Sequence, residues 1–242
     1  MAGHSAWKNI KHRKAAVDAK RGKIWSKCSR AIIVAAKGGG GDAKFNASLR
    51  LAIDEAKAAN MPRDTIEKAV KKGAGGGDGE QFESIRYEGY GPGGVAIIAE
   101  CLTSNVNRTA PEIRTIFDKN GGNLGVPGSV SFSFRQCGQM ILPAGGAATE
   151  DRVMEVALEA GADDVVSHED GFEVFTPASD LALVRDALQG AGLDVEGAEI
   201  AWVPQTTVAV DAAQADVVQR LVDALDDHDD IQKVWHNAEL PE

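Results

Sequence analysis

The stretch "GADDVVSHEDGFEVFTP" (residues 161–177) decides the fold class, because it contains two short runs that favour β-strands, near 164–167 and 172–175. Valine and phenylalanine in such runs, bounded by Gly, Asp and Pro, are typical of strands. The order predicted around them, β-α-β-β-α-β, is that of a ferredoxin-like module. The flanking patterns predict helices over 149–160 and 179–191, and outer strands over 139–142 and 199–203.

A second α+β pattern lies on both sides of this module. "GVAIIAECL" (94–102) is typical of a buried strand, residues 108–120 of a helix, and "GSVSFSF" (128–134) of a half-buried strand. Joined across the insertion, the two flanking halves would give the β-α-β-β-α-β order once more. We therefore predict a second ferredoxin-like module that the first one interrupts. Its second half consists of strand, helix and strand patterns at 206–210, 213–225 and 231–235.

The first third of the chain is predicted to be helical. Apolar residues recur at helical spacing over 14–37 and 46–60, and Pro62 suits the first turn of a third helix that ends near Gly73. The glycine-rich segment 73–79 is a flexible linker by composition. The predicted fold is α+β with three domains: a basic helical domain with its linker over 1–79, a discontinuous α+β domain over 80–136 and 205–242, and an inserted acidic α+β domain over 137–204.

Charge is distributed very unevenly along the 242 residues, whose formal net charge is -10. Residues 1–73 hold 17 Lys or Arg against 6 Asp or Glu, whereas residues 139–242 hold 4 against 23. A gradient this steep indicates that the two ends face different partners. The acidic half should be repelled by phosphate, and a basic protein partner for it is a hypothesis that rests on charge alone.

The basic end fits a polyanionic partner. Cationic side chains that neutralise phosphates release condensed counterions, which drives nucleic-acid binding. Trp7 is a candidate for stacking on an exposed base. Two other interpretations stay open: a merely solvated helix face, and a helix on an anionic membrane surface, which the narrow, alanine-rich apolar face disfavours. The candidate nucleic-acid contacts are Lys8, Lys11, His12, Arg13, Lys14, Lys20, Arg21, Lys23, Lys27 and Arg30.

Two glycine-rich segments, 88–95 and 119–130, invite comparison with phosphate-binding loops, but they match neither GxxxxGK[ST] nor a GxGxxG that opens a helix. Their simplest role is in tight turns at positive φ. The alternative is a secondary nucleic-acid surface helped by Arg86, Arg108 and Lys119. Trp25, unlike Trp7, is predicted to belong to the core.

The sequence has no pattern of catalytic residues, so we predict a binding protein rather than an enzyme. The acidic run "DDHDD" (226–230) is interpreted as a solvated connection between helix and strand rather than a metal site, since adjacent carboxylates do not all converge on one ion. No metal or cofactor is expected.

The three cysteines are far apart and show no CxxC arrangement, which fits a reducing cytoplasm. No run approaches the roughly 20 apolar residues that a membrane span needs.

Four segments carry a family resemblance: "MAGHSAWKNIKHRKAAVDAKRGK" (1–23), "NMPRDTIEKAVKKG" (60–73), "RYEGYGPGGVAIIAECLTSNVNRTAPEIR" (86–114) and "GGNLGVPGSVSF" (121–132). They resemble the signature segments of the YebC/PmpR family, and the likeness extends to "DDIQKVWHN" (229–237). The sequence departs from that family at Ala6, where Lys is more usual, and over residues 24–32, so the packing of the first helix must differ.

The resemblance implies a cytoplasmic protein with a helical N-terminal domain and two α+β domains, one interrupting the other. It implies DNA-binding regulation of transcription. Other members of the family are linked to the ribosome, where the same basic patch would contact ribosomal RNA and relieve stalling, and a mitochondrial branch activates translation of cytochrome oxidase. Because the chain begins at the "GHSAW" motif, we expect no organellar presequence. DNA and RNA both stay open, since phosphate contacts position a protein without specifying base or sugar.

Overall fold

The computed structural model describes residues 21–75 and 81–241. These residues form two compact units, one made of 135–203 and the other of 21–75, 81–134 and 204–241. Within the described ranges, no helix is both long and apolar enough to span a bilayer.

Three helices form the N-terminal module, as the sequence predicts. They pack around a core of their own, in which Ile32 and Leu49 are fully buried. Asn46 caps the second helix, because its Oδ1 accepts a hydrogen bond from the Leu49 amide at 3.0 Å. Trp25 packs against the same core and its Nε1 donates to the Ala59 carbonyl at 3.0 Å, which confirms its predicted place. The helices are α1 (Arg21–Gly39), α2 (Ala47–Ala58) and α3 (Arg63–Ala74).

The next segment forms an antiparallel hairpin followed by a helix. Its first two strands pair with Tyr87 opposite Ala99, and a two-residue strand then joins the outer edge with Asn123 opposite Tyr90. The elements are β1 (Glu83–Tyr90), β2 (Ala96–Thr103), α4 (Val106–Lys119) and β3 (Asn123–Leu124).

Two features of this segment differ from the prediction. Residues 83–90 form a strand that the sequence analysis does not predict, because charged side chains interrupt its apolar pattern. Residues 128–134, predicted as a strand, instead form a turn and the short 3₁₀-helix Ser131–Ser133. The reason is the buried carboxylate of Glu88, whose Oε2 accepts the amides of Val130 and Ser131 at 2.9 Å each. Those two amides therefore bond to a side chain rather than to a neighbouring strand.

The unit made of residues 135–203 has the predicted ferredoxin-like element order. Its sheet has four strands, and Met140 of the first strand lies opposite Val174 of the third in the antiparallel central pair. Both side chains are fully buried, as are Val153 and Leu188 of the two helices. In order across the sheet, the strands are β5 (Asp164–His168), β6 (Gly171–Thr176), β4 (Phe134–Pro143) and β7 (Gly197–Pro204). The elements, all at the predicted places, are β4 (Phe134–Pro143), α5 (Glu150–Glu159), β5 (Asp164–His168), β6 (Gly171–Thr176), α6 (Leu181–Gly190) and β7 (Gly197–Pro204).

The C-terminal residues complete the first sheet with the strand β9 (Ile231–His236), so that the strand order is β3-β1-β2-β9. The last of these strands pairs antiparallel with β2, and the two long helices of this domain contribute Phe117 and Leu221 to one core. The strand predicted over 206–210 is reduced to two residues in a small parallel pair. The discontinuous domain is therefore α+β, but its described elements do not repeat the ferredoxin-like order. They end with β8 (Val208–Ala209), α7 (Ala212–Asp226), β9 (Ile231–His236) and β10 (Ala238–Glu239).

Candidate nucleic-acid interface

The predicted contacts divide into positions that the structure describes and positions that it does not. Arg21 is the first residue of α1. Lys23, Lys27 and Arg30 follow on the same helix at spacings of four and three residues, which places them on one face. Outside the described residues lie Trp7, Lys8, Lys11, His12, Arg13, Lys14 and Lys20.

The described face of α1 contacts the C-terminal end of α7 and the segment after it, residues 226–230, which we call the acidic corner. Lys23 Nζ donates to the Asp227 carbonyl at 3.0 Å and lies 3.1 Å from Asp227 Oδ2. Lys27 Nζ donates to the Asp226 carbonyl at 2.6 Å. The last carbonyls of a helix have no partner within it and carry the negative end of its dipole. The two lysines therefore cap α7 from a different helix.

Arg30 makes the innermost of these contacts. Its Nη1 donates to the Asp229 carbonyl and lies 3.0 Å from Asp230 Oδ1. The side chain of Asp230 is only 3% exposed, so this ion pair is largely withdrawn from water on its acidic side. The acidic corner was predicted to be solvated, and for Asp230 that prediction is wrong, because this carboxylate is the anchor of the contact.

The other oxygen of Asp230 is held from the sheet and from α4. Its Oδ2 accepts hydrogen bonds from Thr109 Oγ1 at 2.7 Å, from Thr103 Oγ1 at 3.0 Å and from Arg108 Nη2. Burial alone would raise the pKa of Asp230, but the hydrogen bonds from Thr109, Arg108 and Thr103 outweigh it and hold the pKa below its ordinary value. Asp230 is therefore a fully charged, fully bonded group at neutral pH.

His228 orders the turn within the acidic corner. Its Nδ1 accepts the Asp230 amide at 3.2 Å, and its Nε2 lies 2.9 Å from Glu112 Oε2. With Nδ1 accepting, Nε2 is the ring nitrogen that donates to the glutamate. Across 21–75 and 81–241, no three His, Cys, Asp or Glu side chains are placed to hold a metal ion.

The predicted secondary contacts are placed in different surroundings. Arg108 is bound to Asp230, and Arg86 Nε lies 3.1 Å from Oε1 of the buried Glu88. Burial tends to raise the pKa of Glu88, but hydrogen bonds from the backbone of Val130, Gly128 and Ser131, with Arg86 nearby, hold it below its ordinary value. Lys119 is exposed at the end of α4. All three side chains are exposed, and Arg86 and Arg108 are each paired with a buried carboxylate.

The glycine-rich segments contain the tight turns that were predicted for them. Gly93 and Gly94 have φ of 72° and 78°, and Gly121 and Gly128 have φ of 71° and 87°. These are left-handed conformations that side-chain-bearing residues rarely adopt. Both segments therefore need glycine for their backbone geometry.

The three cysteines are free and buried. Burial raises the pKa of Cys28 and that of Cys101 to about 12 each. Because the thiolate is the reactive form, these two thiols are unreactive at neutral pH.

Comparison with known proteins places the chain in a family. The family description "TACO1/YebC protein N-terminal domain" matches residues 5–76, and "TACO1/YebC second and third domain" matches residues 82–238. The chain belongs to the TACO1/YebC family. The resemblance stated from the sequence motifs is thereby confirmed.

Relatives of this TACO1/YebC protein match it over nearly the full length. A protein from Polynucleobacter asymbioticus is 54% identical over 241 residues, covering 99% of this chain and 100% of the relative. One from Ralstonia nicotianae is 52% identical over 243 residues and covers 100% of both. Both carry the name "Probable transcriptional regulatory protein".

A solved structure shares the fold. The crystal structure of a conserved hypothetical protein from Aquifex aeolicus matches with a TM-score of 0.85 and 46% sequence identity, covering 94% of each chain. The α+β fold class predicted from the sequence is thus confirmed.

Proposed function

We propose that this protein is a regulator of transcription that binds nucleic acid, in the first instance DNA, through its basic N-terminal helical domain. The observation that carries the proposal is the charge of that domain, with 17 cationic and 6 acidic residues over positions 1–73 of a chain whose net charge is -10. The names of the full-length relatives support the regulatory role. The proposed role is binding, with no cofactor and no catalytic step.

The intramolecular contacts of α1 refine which cations are assigned to phosphate. Lys23, Lys27 and Arg30 already face the acidic corner, so their charges are largely compensated within the chain. We therefore assign the main phosphate contacts to the predicted cations at positions 8–21. Lys23, Lys27 and Arg30 instead hold α1 against the acidic corner at the end of α7.

The acidic half of the chain fits the same arrangement. With 4 cationic and 23 acidic residues over 139–242, it repels phosphate and leaves the helical domain as the surface that a nucleic acid meets. A basic protein is the partner we propose for the acidic surface itself.

The experiment that tests this function is crosslinking of the full chain to nucleic acid in cells, followed by sequencing of what is bound. Promoter DNA among the recovered fragments supports the proposal. Recovery dominated by ribosomal RNA would replace it with the ribosome-associated role that the family resemblance also implies. A variant in which the cations at positions 8, 11, 13 and 14 are changed to Ala should lose the crosslinks.

A further inference from the structure

An aromatic side chain stands in solvent at the loop that joins α1 to α2. Phe45 is 88% exposed, although burying a phenylalanine stabilises a fold by about 1.5–3 kcal/mol. It directly precedes Asn46, the N-cap of α2, and no hydrophobic partner in the helical core receives it. A large apolar side chain left in this position does nothing for the stability of the three-helix module.

The backbone beneath Phe45 is fixed, so the ring projects from an ordered site. The Phe45 amide donates to the Asp42 carbonyl at 3.1 Å, and the Lys44 amide donates to Asp42 Oδ1 at 2.9 Å. Asn46 Nδ2 donates to the Ala35 carbonyl at 2.8 Å and to a loop carbonyl at 2.9 Å. The turn is therefore tied to both α1 and α2, and a ligand that meets the ring need not first order the loop.

The C-terminal end of α3 lies at the same end of the module. A Cβ added at Gly41 would lie 2.8 Å from the Ala74 Cβ, and one added at Gly73 would lie 2.5 Å from the Ile33 carbonyl oxygen. These close approaches bring the loop, the end of α1 and the end of α3 together. Lys71, in the last turn of α3, thus shares this end with Lys37, in the last turn of α1.

This end of the module is cationic as well as aromatic. Lys37, Lys44 and Lys71 are all exposed, and among the residues that the structure describes none of them has an acidic partner. The nearby carboxylate of Asp42 is engaged by a backbone amide. A favourable interaction with the helix dipole accounts for Lys37 and Lys71, but it accounts for neither Lys44 nor the exposed ring.

We propose that Phe45 stacks on an unpaired base of a nucleic acid whose backbone is bound by Lys37, Lys44 and Lys71. This inference rests on the proposed function and adds to it a single-stranded or locally opened target. An aromatic ring among cations is the arrangement by which proteins hold single strands, because every base offers a face for stacking. A ring can reach that face only where the base is not already stacked within a duplex.

The test compares binding of the full chain to a fluorescent single-stranded oligonucleotide and to a blunt duplex of the same sequence, at one salt concentration. Phe45→Ala should weaken single-strand binding roughly 5- to 150-fold, the range for loss of one base–aromatic stack, and leave duplex binding unchanged. Phe45→Trp should retain the affinity, whereas Phe45→Leu should not. Phe132→Ala is the matched control, because Phe132 is 74% exposed but lies outside the helical module.

The outcomes separate this inference from the function on which it rests. Equal affinity of Phe45→Ala and wild type for the single strand, or full rescue by Phe45→Leu, would overturn stacking while leaving nucleic-acid binding intact. A wild-type protein that binds neither oligonucleotide would overturn both.

A second experiment tests the lysines. Replacing Lys37, Lys44 and Lys71 by Ala should flatten the plot of log K against log salt by about 0.7 for each lysine on a single strand. An unchanged slope would mean that these lysines do not contact the phosphates.

Discussion

Arg30 Nη1 lies 3.0 Å from Asp230 Oδ1, so a residue of the first described helix is paired with one 200 positions later in the chain. The side chain of Asp230 is 3% exposed and that of Arg30 is 22% exposed. Arg108 and two threonines donate the remaining hydrogen bonds to the Asp230 carboxylate. Breaking one partner of a buried pair leaves the other charge unsatisfied, which is costlier than losing a surface salt bridge.

Replacement of Asp230 should therefore destabilise the protein. We expect Asp230→Ala to lower the free energy of unfolding by about 3 kcal/mol, since it removes the buried carboxylate that Arg30, Arg108 and two hydroxyls share as an acceptor. Urea denaturation followed by circular dichroism measures the change. Asp229→Asn is the matched control: Asp229 is exposed and contributes its backbone carbonyl to Arg30, so the free energy should change by less than about 0.5 kcal/mol. Equal effects of the two substitutions would contradict the role given to the buried carboxylate.

The same carboxylate should make stability depend on pH in the acid range. The pKa of Asp230 is lower in the folded protein than its ordinary value, so its contribution is fully present above the ordinary Asp pKa and is lost as pH falls toward the folded pKa. Wild type should lose stability from about pH 5 downward more steeply than Asp230→Asn, which has no charge to titrate there. Urea midpoints measured at a series of pH values give both curves. Parallel curves would mean that the folded pKa of Asp230 is not depressed.

The sequence predicts those parts of the structure that depend on local patterns. Residues 139–203 have clear alternation and helical spacing, and every predicted element there is present. Glu88 marks the limit, because nothing in the neighbouring sequence indicates that its carboxylate binds amides 42 and 43 residues later. The cationic face of α1 likewise suggested a solvent-facing surface. Its partner, the acidic corner, is about 200 residues away, and only the tertiary fold brings the two together.

Glu88 should control the order of the loop that contains Val130 and Ser131. Its side chain is fully buried and accepts both amides, so Glu88→Ala removes their acceptors together. We expect hydrogen exchange at these two amides to become faster by at least about tenfold, because opening this loop no longer breaks charge-assisted bonds. Hydrogen–deuterium exchange with mass spectrometry resolves the segment. Glu83→Ala, at an exposed position on the same strand, should leave the exchange unchanged.

The salt dependence of DNA binding should report which cations meet phosphate. If about five to seven phosphates are neutralised, log K plotted against log salt on duplex DNA should have a slope between about −4.5 and −6.3. Lys8→Ala combined with Lys11→Ala should flatten it by about 1.8, because each lost phosphate contact removes about 0.9. Titrations by fluorescence anisotropy at several salt concentrations give the slopes.

A second double variant tests whether the acidic corner already neutralises α1. Lys23→Ala combined with Lys27→Ala removes the same number of charges, but these lysines donate to carbonyls of the acidic corner at 3.0 and 2.6 Å. We therefore expect the slope to stay within about 0.3 of wild type, since no phosphate contact is lost. Should this pair flatten the slope as much as the Lys8 and Lys11 pair, α1 must leave the acidic corner when DNA binds. The carbonyls of Asp226 and Asp227 would then act as competitors that DNA displaces.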